Sequence, residues 1–240
     1  MEEPYNKALL NSGQKILIIF KILKKSLTTE LICVLLQLKE NGQQNLRQNK
    51  INKKFVYLIS PNKIEKDDFY TDLSLVFKSK KVNFFQLRLK NETTRNKLII
   101  GKKIKKICKK YKVKFLINDE PILAKKLNAD GCHLGQKDMS IQKARKILKN
   151  KIIGITCHNS INLCKKAIND NADYLAFGAF YSSKTKKVKY KANLEILRSA
   201  KKITNTPVVA IGGIKLSNYK KLLLNKANFL AISGYIWNNK

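Results

Sequence analysis

Acidic residues are scarce in this chain of 240 residues: 16 Asp and Glu stand against 50 Lys and Arg, a formal net charge of +34. Yet Asp119, Glu120, Asp130 and Asp138 crowd into one short window, beside glycines and His133. Asp119 and Asp138 are the pair with a chemical use. Mg²⁺ is a hard cation usually bound by one or two carboxylates together with substrate phosphates. An anion needs fixed cations, and Arg88 and Lys90 lie two apart, so on an extended segment both project the same way. A guanidinium offers a bidentate fork for phosphate oxygens. Arginine is rare here, restricted to Arg47, Arg88, Arg95, Arg145 and Arg198, so its choice at position 88 points to that fork. Gly213 in "AIGGI" and Ser233-Gly234 in "ISG" are suited to present backbone N–H groups to a second phosphate. His133 reads as a packed strand histidine. His158 stands at a segment end, where an imidazole is placed to move protons.

Elements must position these groups, and their order is regular. From Lys54 onward, short apolar runs recur at 55–60, 82–88, 113–118, 131–135, 151–156, 173–178, 207–212 and 228–233. The runs lack strict alternation, as expected of strands buried on both faces. Between them lie segments of helical spacing. In 97–110, Leu98, Ile100, Ile104, Ile107 and Cys108 recur at threes and fours. Eight strand-like runs separated by helical segments predict an α/β fold, a (β/α)8 TIM barrel. No G-x-G-x-x-G follows the first run, which counts against a doubly wound open sheet. In a barrel the C-terminal ends of the strands carry the chemistry, and every candidate above lies at such an exit.

Two ends depart from a regular barrel. Residues 1–53 read as an N-terminal helical extension (helix-like over Leu27 to Leu38) and a polar linker, with the barrel domain at 54–240. After the eighth run only a short segment remains, so the last helix is expected to be shortened or missing, and the leading helix to cover that gap.

The charge invites a nucleic-acid reading, but 45 of the 50 basic residues are lysine and they are spread along the whole chain. Lys, Asn and Ile share A/T-rich codons, so genome composition accounts for the excess and no nucleic-acid partner is expected. The five cysteines form no C-x-x-C pair and read as reduced thiols of a cytoplasmic protein. Glu2 and Glu3 stand where a secretory signal carries positive charge. No apolar run approaches the ~20 residues of a membrane span. The sequence leaves homo-oligomerisation open.

As an ordered set, "QLRLK", "INDEPILAKKLNADGCHLGQKD", "IGITCH", "SSKTKK", "VVAIGGI" and "AISGYI" resemble the thiamine-phosphate synthase family over roughly Phe55 to Ile236. The resemblance implies a (β/α)8 barrel that joins 4-amino-2-methyl-5-pyrimidinylmethyl diphosphate to 4-methyl-5-thiazolylethyl phosphate, giving thiamine monophosphate and diphosphate with Mg²⁺ as cofactor. It implies that Gln86 contacts the pyrimidine, that Arg88, Lys90, Asn118 and Lys186 hold the diphosphate, and that Thr156, where the family usually has Ser, keeps a hydroxyl there. Arg88, Lys90, Thr156 and Lys186 are then the catalytic set, and Asp119 and Asp138 the metal ligands. Ser183, Thr185, Gly213, Ile232 and Ser233 are implied for the thiazole phosphate. Ala179 and Ser182-Ser183 depart from the usual Pro and Pro-Thr, and a loop without those prolines has more entropy to lose on ordering. A thiazole tautomerase on the same barrel is the neighbouring alternative; it tends to lose the diphosphate set, which is present here.

Overall fold

The computed structural model describes residues 55–65, 67–182 and 189–237. Eight parallel strands close on themselves in chain order: β1 (Val56–Ile59), β2 (Val82–Leu87), β3 (Lys114–Asn118), β4 (Gly131–Leu134), β5 (Ile152–His158), β6 (Tyr174–Gly178), β7 (Val208–Ile211) and β8 (Phe229–Ile232). The barrel is sealed by the parallel pairing of β1 with β8, Val56 lying opposite Leu230 and Leu58 opposite Ile232. The predicted count of eight holds.

Helices α1 (Asp68–Lys78), α2 (Thr94–Lys110), α3 (Pro121–Lys126), α4 (Ile141–Leu148), α5 (Ile161–Asn169), α6 (Glu195–Ile203), α7 (Tyr219–Leu224) and α8 (Gly234–Trp237) follow the strands in turn. Their starts are written locally. The hydroxyls of Thr93, Ser140 and Ser160 accept from backbone N–H groups three residues on, capping α2, α4 and α5. On α2, Ile104 and Cys108 are buried and Leu98, Ile100 and Ile107 pack against the core, the face read from the spacing. The last helix is a single turn up to Trp237. It closes the seam between β8 and β1: the Trp237 indole N–H donates to the Ile59 carbonyl at 2.6 Å, and its ring meets Phe69 of α1 at 5.1 Å. The segment expected to cover that seam, Leu27 to Leu38, lies outside the described residues, as does the whole of 1–53.

Two apolar layers result. The larger lies between strands and helices. The smaller contains strand residues alone, among them Tyr57, Ile59, Phe84, Leu116, Tyr174 and Val209, and therefore fills the barrel interior as its floor. Gly154 makes that floor possible. A Cβ there would come within 1.9 Å of the Tyr174 ring. Gly154→Ala is therefore expected to destabilise the fold by about 2–3 kcal/mol, read as a lower denaturant midpoint in equilibrium unfolding.

At the opposite end from the strand exits, Arg145 uses its fork structurally. It donates to the carbonyls of Lys149, Lys151 and Asn171 and to Asp173 Oδ2, the last at 2.7 Å. The same carboxylate oxygen accepts from the Ile153 N–H at 2.7 Å, so these bonds fasten the starts of β5 and β6 to α4.

Candidate active site

Above the apolar floor the inward positions turn polar. Asn118 pairs in register with His133, and His133 with Gly154, so the ends of β3 and β4 stand level with the middle of β5, which runs on to His158. Gln86, almost fully buried, donates from Nε2 to Asn118 Oδ1 at 2.5 Å. Asn118 and the carboxyl of Asp138 both lie beside the Asp119 carboxyl, close enough to act on its proton affinity in opposite senses. Gln86, Asn118, Asp119 and Asp138 thus form one continuous polar strip across three neighbouring strand exits.

Asp119 turns inward because its backbone adopts φ +63°, a left-handed conformation that Asp and Asn tolerate better than most residues. Its N–H donates to the His133 carbonyl at 2.7 Å, and Lys90 Nζ lies 3.7 Å from its Oδ2. Behind it, Lys97 Nζ and Glu120 Oε1 meet at 2.5 Å, fastening the β3 exit to α2. Asp138 is held by the Gly135 N–H, which donates to its Oδ2 at 2.7 Å. Burial, then the neighbouring Asp138, push the Asp119 carboxyl up to about 6, while Lys90 and Asn118 oppose that rise. Two carboxyls forced together and partly dehydrated carry a like-charge penalty that a cation relieves. The donor set fits a hard divalent ion: two carboxylates, the rest left to water and ligand oxygens. Among the described residues no group of three or more His, Cys, Asp or Glu side chains converges, so no all-protein cage is built.

Arg88 sits just beyond β2. Its backbone N–H donates to Ser60 Oγ at 2.9 Å and its Nη1 to Asn62 Oδ1 at 2.7 Å, both partners lying at the β1 exit. Burial pulls the guanidinium down from its usual range, and the charge of Asp119 opposes this. Thr156 ends the inward row of β5. Its carbonyl accepts from Gln136 Nε2 at 2.5 Å and its hydroxyl meets His133 Nε2 at 2.9 Å. Gln86, Arg88, Lys90, Asn118, Asp119, Asp138 and Thr156 therefore gather on one rim.

The β7 and β8 exits answer differently. Gly213 (φ +60°) and Gly212 (φ +103°) leave room for the loop after β6, since a Cβ on either would strike residues 179–182. Ser233 donates its hydroxyl to the Ser60 carbonyl at 3.1 Å, which links the β8 exit to the β1 exit and so to Arg88. The Ile232 side chain packs in the outer layer against the helices, so only its backbone is available to a ligand at the mouth. Ser183, Thr185 and Lys186 lie outside the described residues. His133 is buried, as read, but its partners make it more than a packed ring. His158 (φ +53°) ends β5 with its ring 4.2 Å from that of Tyr190. Ser60 and Asn62 were not among the residues picked out by type and spacing; the only signal was their place at a strand exit.

The eight parallel strands close into a (β/α)8 barrel whose exits carry fixed cations, paired carboxyls and glycine turns. Comparison with known proteins narrows the class. The family model described as thiamine monophosphate synthase matches residues 56–236, and the chain belongs to that family. A thiamine-phosphate synthase of Pelagibacter ubique is 81% identical over 195 residues, covering 81% of this chain and 94% of that protein. One from Nitrosomonas eutropha is 38% identical over 179 residues, 74% of this chain and 84% of its own length. Among solved structures, a thiamine phosphate pyrophosphorylase from Pyrococcus furiosus superposes with a TM-score of 0.66 at 30% identity, covering 76% of this chain and 87% of that one. The protein is a transferase by family. No helix among the described residues is long and apolar enough to cross a membrane.

Proposed function

We propose that the chain condenses 4-amino-2-methyl-5-pyrimidinylmethyl diphosphate with 4-methyl-5-thiazolylethyl phosphate, releasing thiamine monophosphate and diphosphate. The observation that carries the reading is the gathering of Arg88, Lys90, Asn118, Asp119, Asp138 and Thr156 on one rim of a barrel of this family. In the reaction the bond from the pyrimidine methylene carbon to the diphosphate oxygen breaks, and its electron pair leaves with the diphosphate. The thiazole nitrogen then gives its lone pair to that carbon. No protein nucleophile is needed; the protein must stabilise charge on the leaving group and hold two substrates in line.

Each side chain has a place in that task. Gln86 spends one N–H on Asn118, which leaves its carbonyl oxygen to accept from the amino group of the pyrimidine. Arg88 and Lys90 meet diphosphate oxygens from the β2 exit, and Lys186 is assigned to the same group from its sequence position. Asp119 and Asp138 would hold Mg²⁺, which when bound supplies positive charge to the diphosphate oxygens. Thr156 donates its hydroxyl to the same anion. Ser183, Thr185, Gly213, Ser233 and the Ile232 backbone are assigned to the thiazole phosphate.

Incubating the protein with both substrates and Mg²⁺ is expected to yield thiamine monophosphate and diphosphate in equal amounts. Chelating the metal should stop turnover, and added Mg²⁺ should restore it. A folded protein that forms no thiamine monophosphate under these conditions overturns the assignment, and isomerisation of the thiazole phosphate alone would favour the tautomerase.

A further inference from the structure

Beneath Thr156 a line of buried polar atoms runs down into the apolar floor. The Tyr57 and Tyr174 hydroxyls are 2.7 Å apart, the Tyr174 hydroxyl is 2.9 Å from His133 Nδ1, and His133 Nε2 is 2.9 Å from Thr156 Oγ1. The His133 and Tyr174 rings lie nearly parallel, 13° apart, and Gly154 provides the space for the tyrosine ring. Four side chains from β1, β6, β4 and β5 are thus joined through the centre of the barrel.

Counting protons gives this line a direction. Each hydroxyl has one proton to donate, and a neutral imidazole has one. The His133 ring is buried and both of its nitrogens meet uncharged hydroxyls, so the ring is neutral near neutral pH. If Thr156 donated to His133, the ring would donate to Tyr174 and Tyr174 to Tyr57. The Tyr57 proton would then need a further acceptor, and among the described residues its hydroxyl has only Tyr174. In the opposite direction the three deeper protons all find partners: Tyr57 donates to Tyr174, Tyr174 to Nδ1, and Nε2–H to Thr156 Oγ1. The threonine hydroxyl proton is then turned toward the mouth. Unmatched buried donors are costly, so the second direction is favoured.

We propose that His133 is a positioning residue: the tyrosine pair fixes its imidazole as the Nε2–H tautomer, so that it fills the acceptor side of Thr156 and commits the threonine hydroxyl to donate to the departing diphosphate. The proposal rests on the condensation reading of the rim. His133 touches no substrate in this scheme. It sets the polarity of a donor that acts where charge develops, and a donor aimed in advance stabilises the transition state without rearranging.

The test uses the full chain. It contains two histidines, so a protein labelled with ¹⁵N in histidine gives spectra assignable with one His158→Gln control. His133 should show a protonated, pyrrole-type Nε2 and an unprotonated Nδ1 at neutral pH, with or without inorganic diphosphate. In steady-state assays Thr156→Val and His133→Leu are each expected to lower kcat by about a hundredfold, the lower end of the range for loss of one aligned donor. The KM for the thiazole phosphate should stay unchanged. Combined, the two should be no worse than Thr156→Val alone, since His133 acts through Thr156. Thr156→Ser should keep most of the activity, and His133→Gln, which retains an N–H near the Nε2 position, should recover part of it if His133→Leu does not fold. A proton on Nδ1, or losses that multiply, would overturn the relay while leaving the reaction intact. Absence of thiamine monophosphate from the wild-type protein would instead remove the reaction on which it rests.

Discussion

Arg88→Ala is expected to lower the turnover of thiamine monophosphate formation at least about a hundredfold while the fold persists, in line with the loss of a strong, aligned charge at a developing anion. The side chain stands beyond the end of β2, and its anchor there is the backbone bond to Ser60, which alanine keeps. Its guanidinium contributes one bond to Asn62 and otherwise faces the rim beside Asp119. Little packing is lost, so circular dichroism and the thermal midpoint should change slightly. Arg88→Lys restores charge without the planar fork, and turnover should recover only in part. Asn62→Ala probes the same point from behind. It frees the guanidinium to wander, so a severalfold fall in kcat/KM is its expected sign. If Arg88→Ala turned over near the wild-type rate, the rim would not be where the diphosphate leaves.

Why Arg88 was readable and Asn62 was not is a matter of distance along the chain. Eight strands could be counted because each is short, apolar and buried on both sides, and each is followed by a segment whose own spacing places one face inward. Residues at the ends of such strands are fixed by topology alone, so Gln86, Asn118, Asp119, Asp138 and Thr156 converge without any long-range signal in the sequence. Partners across the barrel carry none. Asn62 reaches Arg88 over 26 residues, and Ser233 reaches Ser60 over 173. "SPN" at the β1 exit looks like any turn, since Ser, Pro and Asn favour turns for local reasons.

His133 was hidden in another way. Its neighbours Cys132 and Leu134 pack in the outer layer, so the local stretch reads as core. Only the pleat, which sends alternate residues to opposite faces, puts the ring inside with Tyr174 from 41 residues away and Thr156 from 23. The rarity of arginine proved ambiguous. It pointed to a guanidinium fork at Arg88, but Arg145 uses the same fork to hold carbonyls at the far end of the barrel. Residue type told what a side chain is able to do; its end of the strand decided whether that is chemistry or scaffolding.

Asp119→Asn is expected to separate catalysis from stability, because the same neighbours that suit Asp119 to a cation burden it when no cation is bound. Asparagine is the conservative choice here: it accepts the φ of +63° that alanine would resist, and it keeps the backbone bond to His133. Turnover should fall at least about a hundredfold with the loss of a metal ligand at the leaving group. Stability should move the other way. The folded carboxyl is raised to about 6 from an ordinary 3.8 by burial and then by Asp138. The folded state therefore holds a proton more tightly than the unfolded chain. The stabilisation linked to that proton is full below the ordinary value and is lost as pH rises through about 6. In metal-free buffer the wild-type thermal midpoint should consequently fall, relative to that of Asp119→Asn, as pH is raised from acidic values to well above 6. Added Mg²⁺ should recover the wild-type midpoint at the higher pH and leave the variant unmoved, since only a bound ligand shifts the folding equilibrium. The kcat/KM of the wild type should rise through the same interval, because the ionised carboxylate is the form that takes a cation. A variant that turns over normally would dismiss the acidic pair from the reaction. A midpoint difference that ignores pH would show instead that Asp119 is not strained by its neighbours.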